Sequence, residues 1–258
     1  MLRHTKIVAT LGPASSTPEI LESMVKAGID VVRMNFSHGS VADHKARAAG
    51  IRAAAAKFGR TVGILGDLQG PKIRVGKFAE SPITLVAGES FVLDAACSLG
   101  NQERVGLDYK DLPKDVVHGD ILLLDDGRLK LEVKNVRGQE IHTQVLVGGE
   151  LSNNKGINRQ GGGLTAPALT AKDMDDIKTA AEIGVDFVAV SFPKSAADMY
   201  MARQLLRAAG STAILIAKIE RVEAVKNLEE ILDASDGVMV ARGDLAVEVG
   251  DAAVPALQ

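Results

Sequence analysis

Residues 6–36 read KIVATLGPASSTPEILESMVKAGIDVVRMNF, and this stretch decides the fold class. Its two ends, KIVATL and VVRMNF, are short apolar runs that predict β-strands. Between them, Thr17 and Pro18 predict the cap and the first residue of a helix, and Gly28 predicts the helix end. A strand, a helix and a second strand in this order are typical of a parallel β-sheet.

The alternation of strands and helices extends along most of the chain. Ser40 with Asp43 resembles a capping box and predicts a helix as far as Phe58, followed by a strand at residues 62–65. After Thr165, strands are predicted at 187–192, 214–219 and 238–241, and helices at 170–184, 195–210 and 223–235. Six short apolar strands suit either an open doubly wound sheet or an incomplete (β/α)8 TIM barrel, with about six of eight strands.

The middle of the chain has a different pattern. From about residue 75 to residue 163 the segments are short and alternating, and Asp125-Asp126-Gly127 predicts a tight hairpin turn. The pattern predicts an inserted all-β domain, and the Gly-rich stretch 148–163 predicts a hinge. The predicted domains are 1–70 for the first part of the barrel, 71–166 for the β insertion and 167–258 for the rest of the barrel, truncated after the sixth strand.

Composition excludes several classes of function. The formal net charge is −3, aromatic residues make up 3% and Trp is absent, so a nucleic-acid partner is not expected. No apolar run reaches the roughly 18 residues of a membrane span. Cys97 is the single cysteine, which excludes an internal disulfide and predicts a cytoplasmic location. Neither a dinucleotide-binding glycine motif after the first strand nor a phosphate-binding P-loop motif is found.

Polar residues gather where the predicted strands end. They are Arg33, Asn35 and Ser37, then Asp67, then Lys218 and Glu220, then Arg242 and Asp244. Strand residues two apart point the same way, so the residues within each of these groups are predicted to share a face. Because charges beside buried strands are costly unless paired or ligated, the pattern predicts a mixed cation and carboxylate site at the barrel face where chemistry occurs.

The residue types suggest which ligands this site would take. Glu220 and Asp244 are oxygen ligands suited to Mg²⁺, and Arg33, Arg74 and Lys218 suit phosphate and carboxylate groups. The backbone N–H groups of 243–245, directly after a strand, suit an anion. A structural ion pair between Lys218 and Glu220 remains an alternative on the pattern alone, as does a capping role for Asp67.

Six motifs make this sequence resemble the pyruvate kinase family. In family order and spacing they are KIVATLGP (6–13), RMNFSHG (33–39), GDLQGPKIR (66–74), KGIN (155–158), KIE (218–220) and VARGDL (240–245). The resemblance covers essentially the whole chain. It implies a (β/α)8 barrel with a mobile all-β lid domain inserted after the third strand.

The resemblance also implies a role for each matching residue. Arg33 and Lys218 would contact the transferring phosphoryl group, with the Gly243 and Asp244 amides on the substrate carboxylate. The metal ligands would be Glu220 and Asp244 for Mg²⁺ or Mn²⁺, and Asn35, Ser37, Asp67 and the Leu68 carbonyl for K⁺. Residues facing the ADP or ATP phosphates would be Asn35, Phe36, Ser37, His38, Arg74 and Lys155. Lys72 is hypothesised to supply the charge of the K⁺ ion.

The implied reaction is phosphoryl transfer from phosphoenolpyruvate to ADP, giving pyruvate and ATP in glycolysis, by a full-length homotetramer. The sequence also predicts that the chain stops before the last two barrel strands and is weakly active or inactive alone. One alternative is a metal-dependent pyruvate-enolate aldolase, which the lid and the group Asn35, Ser37 and Asp67 disfavour. The other is a non-catalytic pseudoenzyme.

Overall fold

A computed structural model describes residues 4–258 and divides them into two compact units. Unit 1 consists of Met1–Gly70, Ala168–Lys218 and Asn227–Met239. Unit 2 consists of Pro71–Pro167, Ile219–Lys226 and Val240–Gln258. The domain bounds predicted from the sequence stay a prediction.

The regular elements are numbered here in chain order. The strands are β1 Val8–Leu11, β2 Val31–Asn35, β3 Gly63–Asp67, β4 Ile83–Leu85, β5 Ser90–Asp94, β6 Arg104–Val105, β7 Ile121–Leu124, β8 Leu129–Arg137, β9 Glu140–Val147, β10 Gly149–Leu151, β11 Ile157–Arg159, β12 Phe187–Val190, β13 Ile214–Ile219 and β14 Gly237–Val240. The α-helices are α1 Pro18–Ala27, α2 Val41–Lys57, α3 Leu112–Asp115, α4 Ala171–Ile183, α5 Ala196–Ala208, α6 Val222–Lys226, α7 Leu228–Ala234, α8 Arg242–Val249 and α9 Val254–Leu257.

A six-stranded sheet in the order β1-β2-β3-β12-β13-β14 carries the fold. The pairs from β1 through β13 are parallel, with Val31 opposite both Val8 and Gly63. The spatial order follows the chain order without reversal, whereas a doubly wound sheet reverses at its switch point. The predicted fold class, an incomplete (β/α)8 barrel with six of eight strands, is therefore confirmed.

The first helices begin and end where the sequence predicts. Thr17 Oγ1 accepts a hydrogen bond from the Ile20 N–H, and Gly28 ends α1 with a φ of 96° in the left-handed region. Ser40 and Asp43 form the predicted capping box of α2. Leu21 and Val25 are the buried residues of α1, so its apolar stripe is the packed face.

Unit 2 has its own core and sheets. Its larger sheet has the order β11-β7-β8-β9-β5-β6, and β10 pairs with β4. The predicted hairpin turn is present, with Asp125 and Asp126 at positive φ values of 49° and 55°. Buried aliphatic side chains such as Leu93, Leu122 and Leu131 fill its core. The inserted segment is therefore rich in β-strands, as predicted, and also contains the short helix α3.

Three details of the prediction were wrong. The stretch 148–163 contains strands β10 and β11, because its apolar residues pair with other strands of unit 2. The helix predicted at 223–235 is two helices, α6 and α7, which break at Asn227. The Asn227 side chain donates to the Lys194 carbonyl at 2.8 Å, an interaction that competes with helix continuation.

The third error concerns Arg242 and Asp244. They lie in α8 rather than on a strand and its loop. Helix residues two apart do not face each other, so these side chains do not share a face. Across residues 4–258 no helix is long and apolar enough to cross a bilayer.

Candidate active site

A buried carboxylate organises the end of the unit 1 sheet. Asp67 closes β3, opposite Asn35 of β2, and its side chain is 1% exposed. Its Oδ2 accepts from Arg33 Nε at 2.6 Å and lies 2.5 Å from Arg33 Nη2. Thr10 Oγ1 accepts from Arg33 Nη1 at 3.0 Å. The guanidinium is therefore fixed by β1 and β3 before any ligand arrives.

Lys218 reaches the other oxygen of the same carboxylate. Its Nζ lies 3.2 Å from Asp67 Oδ1, and its side chain is 11% exposed. Two cations share one carboxylate, so the group of Arg33, Asp67 and Lys218 has a net charge of +1. A partly desolvated positive group with oriented N–H donors attracts phosphate or carboxylate oxygens.

Ser191 belongs to this group, and the sequence analysis missed it. It directly follows β12 and is 1% exposed. Its hydroxyl donates to the Leu68 carbonyl at 2.7 Å and accepts from Lys218 Nζ at 2.7 Å. Its place within the apolar run 187–192 does not single it out, although it directly follows a strand, which is where barrel site residues lie.

The turn after β2 is held by short-range bonds. Asn35 Oδ1 accepts from the Ser37 N–H at 3.0 Å, and the His38 N–H donates to the Asn35 carbonyl at 3.2 Å. Phe36 is 1% exposed and its ring lies 4.5 Å from that of His44. The Phe36 side chain therefore anchors the turn, and any ligand contact by this residue would come from its backbone.

Unit 2 brings three predicted residues together at α8. Gly243 and Asp244 lie in the first turn of this helix, where backbone N–H groups have no partner within the helix. Asp244 Oδ1 lies 3.4 Å from Lys72 Nζ, and both side chains are about one-third exposed. A cavity of about 910 Å³ is lined by Lys72, Lys130, Arg242, Gly243 and Asp244 among others. Its size suits a small molecule, and its charge is mixed because carboxylates also line it, namely Asp126, Asp244, Glu248 and Asp251.

Arg74 and Lys155 lie on neighbouring backbone segments of unit 2. Arg74 forms an antiparallel bridge with Gly156, and its Nη1 donates to the Asn154 carbonyl at 3.1 Å. Lys155 Nζ lies 2.7 Å from Asp125 Oδ1. The Arg74 N–H donates to Asp108 Oδ1 at 2.7 Å, and burial raises the pKa of that carboxyl.

Glu220 follows Lys218 by two residues and is 1% exposed. Nearby in the chain, the Val222 N–H donates to Glu248 Oε2 at 3.1 Å, and burial raises the pKa of the Glu248 carboxyl. Among residues 4–258 no group of three or more His, Cys, Asp or Glu is placed to hold a metal. Glu220 and Asp244 nevertheless fit Mg²⁺ or Mn²⁺ in their chemistry, because Mg²⁺ needs only one or two protein carboxylates beside water and substrate oxygens.

The predicted K⁺ ligands fit that ion poorly as arranged. Both Asp67 oxygens already face cations, and the Leu68 carbonyl accepts the Ser191 hydroxyl. Asn35 Oδ1 accepts the Ser37 N–H. A carboxylate paired with two side-chain cations offers little attraction to a third.

The predicted site residues thus form separate groups within each unit. Unit 1 gathers Arg33, Asp67, Leu68 and Lys218. Unit 2 gathers Lys72, Gly243 and Asp244, with Arg74 and Lys155 on neighbouring segments. Their assignment to substrate, nucleotide and metal stays a prediction.

Comparison with known proteins defines the family. Residues 2–258 match the model of the pyruvate kinase barrel domain, so the chain belongs to this family. It is 58% identical to pyruvate kinase II of Salmonella typhimurium over 262 aligned residues, covering 100% of the chain and 55% of the relative. The chain is also 58% identical to the pyruvate kinase of Haemophilus influenzae, and the alignment covers 97% of the chain and 53% of the relative. The chain is 46% identical to the pyruvate kinase of Mycobacterium intracellulare, and the alignment covers 100% of the chain and 55% of the relative. The chain therefore spans about half the length of these curated relatives.

Proposed function

We propose that this protein acts as a pyruvate kinase, transferring a phosphoryl group from phosphoenolpyruvate to ADP. The observation that carries the proposal is the net positive group of Arg33, Asp67 and Lys218 at the end of the parallel sheet. The relatives named pyruvate kinase support the same reading.

In this proposal the cations of unit 1 perform most of the charge neutralisation. The Arg33 guanidinium binds the phosphoryl oxygens, with its direction set by Asp67 and Thr10. Lys218 donates from Nζ to a phosphoryl oxygen and stabilises negative charge as the enolate develops. Phosphoryl transfer relies mainly on such positioning and electrostatic stabilisation.

The remaining contacts are proposed from the family resemblance. The Gly243 and Asp244 amides receive the substrate carboxylate at the first turn of α8. The residues proposed to bind the phosphates of ADP or ATP are those that the family resemblance implies, namely Asn35, Phe36, Ser37, His38, Arg74 and Lys155. Mg²⁺ or Mn²⁺, held by Glu220 and Asp244 when bound, would neutralise oxygen charge on the substrate.

Residues 71–166 would act as a lid that excludes water, within a cytoplasmic homotetramer. Lys72 would supply the positive charge that K⁺ provides in related enzymes, and in this structure it pairs with Asp244. Turnover would then be insensitive to replacing Na⁺ with K⁺ at constant ionic strength. A steep rise with K⁺ would exclude this role for Lys72.

The test combines calorimetry with a coupled assay. The chain is titrated with phosphoenolpyruvate in the presence of Mg²⁺, and pyruvate formation is followed with and without ADP. Lys218→Met is expected to weaken binding at least about tenfold because it removes a charged donor. Lys178→Met is the matched control, since Lys178 is exposed and paired with Asp175.

The outcomes separate the competing functions. Pyruvate formation that requires ADP supports the proposal. Pyruvate released from a larger ketoacid without ADP would favour the aldolase. Binding of phosphoenolpyruvate without turnover is expected of the chain alone under both readings, and the loss of affinity in Lys218→Met then decides whether the proposed site binds the substrate. No binding and no turnover would contradict the proposed function.

A further inference from the structure

Ser191 connects the elements that carry the unit 1 cations. It lies between the Leu68 carbonyl after β3 and the Lys218 ammonium on β13, at 2.7 Å from each. Its distance to Asp67 Oδ1 is longer, at 3.4 Å. None of the roles assigned above to the site residues uses this hydroxyl.

The direction of these bonds follows from the donors available. A serine hydroxyl has one proton, and a protonated lysine only donates. The bond from Lys218 must therefore place a lone pair of Ser191 Oγ toward Nζ. The Ser191 proton is then directed to the Leu68 carbonyl, which is the nearer acceptor. The hydroxyl accepts on one side and donates on the other, which fixes its rotation.

The backbone around Ser191 is held in place as well. The next residue, Phe192, has a φ of 57°, in the left-handed region that a residue with a side chain rarely occupies. Gly70 approaches so closely that a Cβ there would lie 2.8 Å from Ser191 Cβ and 2.9 Å from the Ser191 carbonyl oxygen. Such strained and tight arrangements persist where the surroundings determine them, and they cluster at functional sites.

We infer that Ser191 is a positioning residue that holds the Lys218 ammonium in its reactive position. Asp67 attracts Lys218 by charge but does not specify its direction, whereas the hydroxyl adds a second fixed acceptor. With both contacts, Nζ is confined to one location without neutralising its charge further. The inference rests on the proposed function, because it assigns Lys218 a role in phosphoryl transfer.

The first experiment observes the ammonium directly. In the chain labelled with [¹⁵N]lysine, the Lys218 NH₃⁺ resonance is assigned by its loss in Lys218→Arg. Ordered ammonium groups exchange protons slowly enough to give such signals, so Ser191→Ala is expected to broaden or remove the Lys218 resonance. Ser235→Ala is the matched control, because its hydroxyl donates to the Ile231 carbonyl at 2.6 Å and no lysine bond to it is found in the described structure.

The second experiment measures binding of phosphoenolpyruvate with Mg²⁺ to the same proteins. Ser191→Ala is expected to weaken the affinity about tenfold, the usual effect of losing one hydrogen bond to a charged group. Ser191→Cys keeps the side chain close to its size but provides a poorer acceptor, so its signal and affinity should fall between the two. Urea unfolding curves of each variant identify any loss of folding.

Each outcome decides the inference. A wild-type Lys218 resonance and wild-type affinity in folded Ser191→Ala, or in Ser191→Cys if the alanine variant unfolds, would overturn it. If the unmodified chain does not bind phosphoenolpyruvate, the proposed function fails, and the resonance alone decides whether Ser191 holds Lys218. Loss of the resonance together with the tenfold loss of affinity would establish the positioning role.

Discussion

The Asp67 group of unit 1 and two ion pairs of unit 2 differ in their exposure to water. In unit 1 the Asp67 side chain is 1% exposed and faces both Arg33 and Lys218. In unit 2, Arg104 pairs with Glu140 and its side chain is 40% exposed. Lys155 pairs with Asp125 and its side chain is 37% exposed. Water screens these two pairs of unit 2, whereas the charges around Asp67 must compensate one another. The difference indicates that the Asp67 group holds its charges in fixed positions, whereas the two exposed pairs contribute little to stability.

Replacement of Asp67 should have the largest effect. Asp67→Asn would leave two cations beside each other without their carboxylate, which is expected to destabilise the protein by about 3–5 kcal/mol. Glu140→Gln, in an exposed pair of unit 2, should leave the midpoint of urea unfolding nearly unchanged. Equal shifts in the two variants would contradict the contrast between the buried Asp67 group and the exposed pair.

Glycine replacements extend the comparison to the backbone. Gly70 has a φ of 66°, and a Cβ at this position would meet Ser191. Gly70→Ala is therefore expected to lower the free energy of unfolding by about 3 kcal/mol. Gly138 in unit 2 has a φ of 58°, with no atom within 4 Å of a Cβ, so Gly138→Ala should cost only about 1 kcal/mol. Chemical denaturation measures both, and a smaller cost at Gly70 would show that the close approach is readily relieved.

His44 gives unit 1 a stability that depends on pH. Neither ring nitrogen has a hydrogen-bond partner among the described residues, and burial lowers the pKa of this imidazole below its ordinary value of 6.5. Arg47 and Lys172 lower the pKa further, while Asp176 and Asp43 raise it. Because the unfolded chain takes up the proton first, this histidine reduces stability as pH falls below 6.5.

The variant His44→Leu removes both the unsatisfied nitrogens and the titration. It should stabilise the protein by about 1 kcal/mol near neutral pH, since burying an unpaired polar group is costly. Its advantage over wild type should grow as the pH falls through 6.5 toward the lowered pKa of the folded state. Urea unfolding at several pH values measures the difference, and a constant difference would rule out a contribution from His44 titration.

The smallest change in stability is expected at Lys155. Lys155→Met should alter the unfolding free energy by less than about 0.5 kcal/mol, because the pair with Asp125 is partly solvated. ADP affinity should fall several-fold if this side chain binds phosphate. Lys134→Met, which removes a lysine paired with Glu132 in unit 2, is the control. An unchanged ADP affinity would remove Lys155 from the nucleotide site.

Sequence patterns predicted what depends on local chemistry. The structure contains three features predicted from neighbouring residues: the helix cap at Thr17, the capping box of Ser40 and Asp43, and the turn at Asp125 and Asp126. Short-range hydrogen bonds and preferred φ values determine these features, so they can be read from neighbouring residues. The six parallel strands were predicted because each is an apolar run bounded by turn residues.

Features that depend on distant partners were missed. The break at Asn227 reflects a bond to Lys194, 33 residues earlier in the chain. Ser191 gains its role from Leu68 and Lys218, and no local pattern around it predicts those contacts. Strands β10 and β11 form because partners exist elsewhere in unit 2. The site predictions for Arg33 and Lys218 relied on position at strand ends, but their shared carboxylate became apparent only in the structure.

The strand order also has a consequence for folding kinetics. Val8 pairs with Val31, and Phe187 pairs with Ile214, whereas the β3–β12 pairing brings together Leu65 and Phe187. Because more chain entropy is lost, closing that longer loop costs about 1.4 kcal/mol more free energy than closing one of the short loops. We therefore expect the junction of β3 and β12 to form after the other parallel pairs of the sheet. In pulse-labelled refolding, amides at this junction should gain protection after those between β1 and β2.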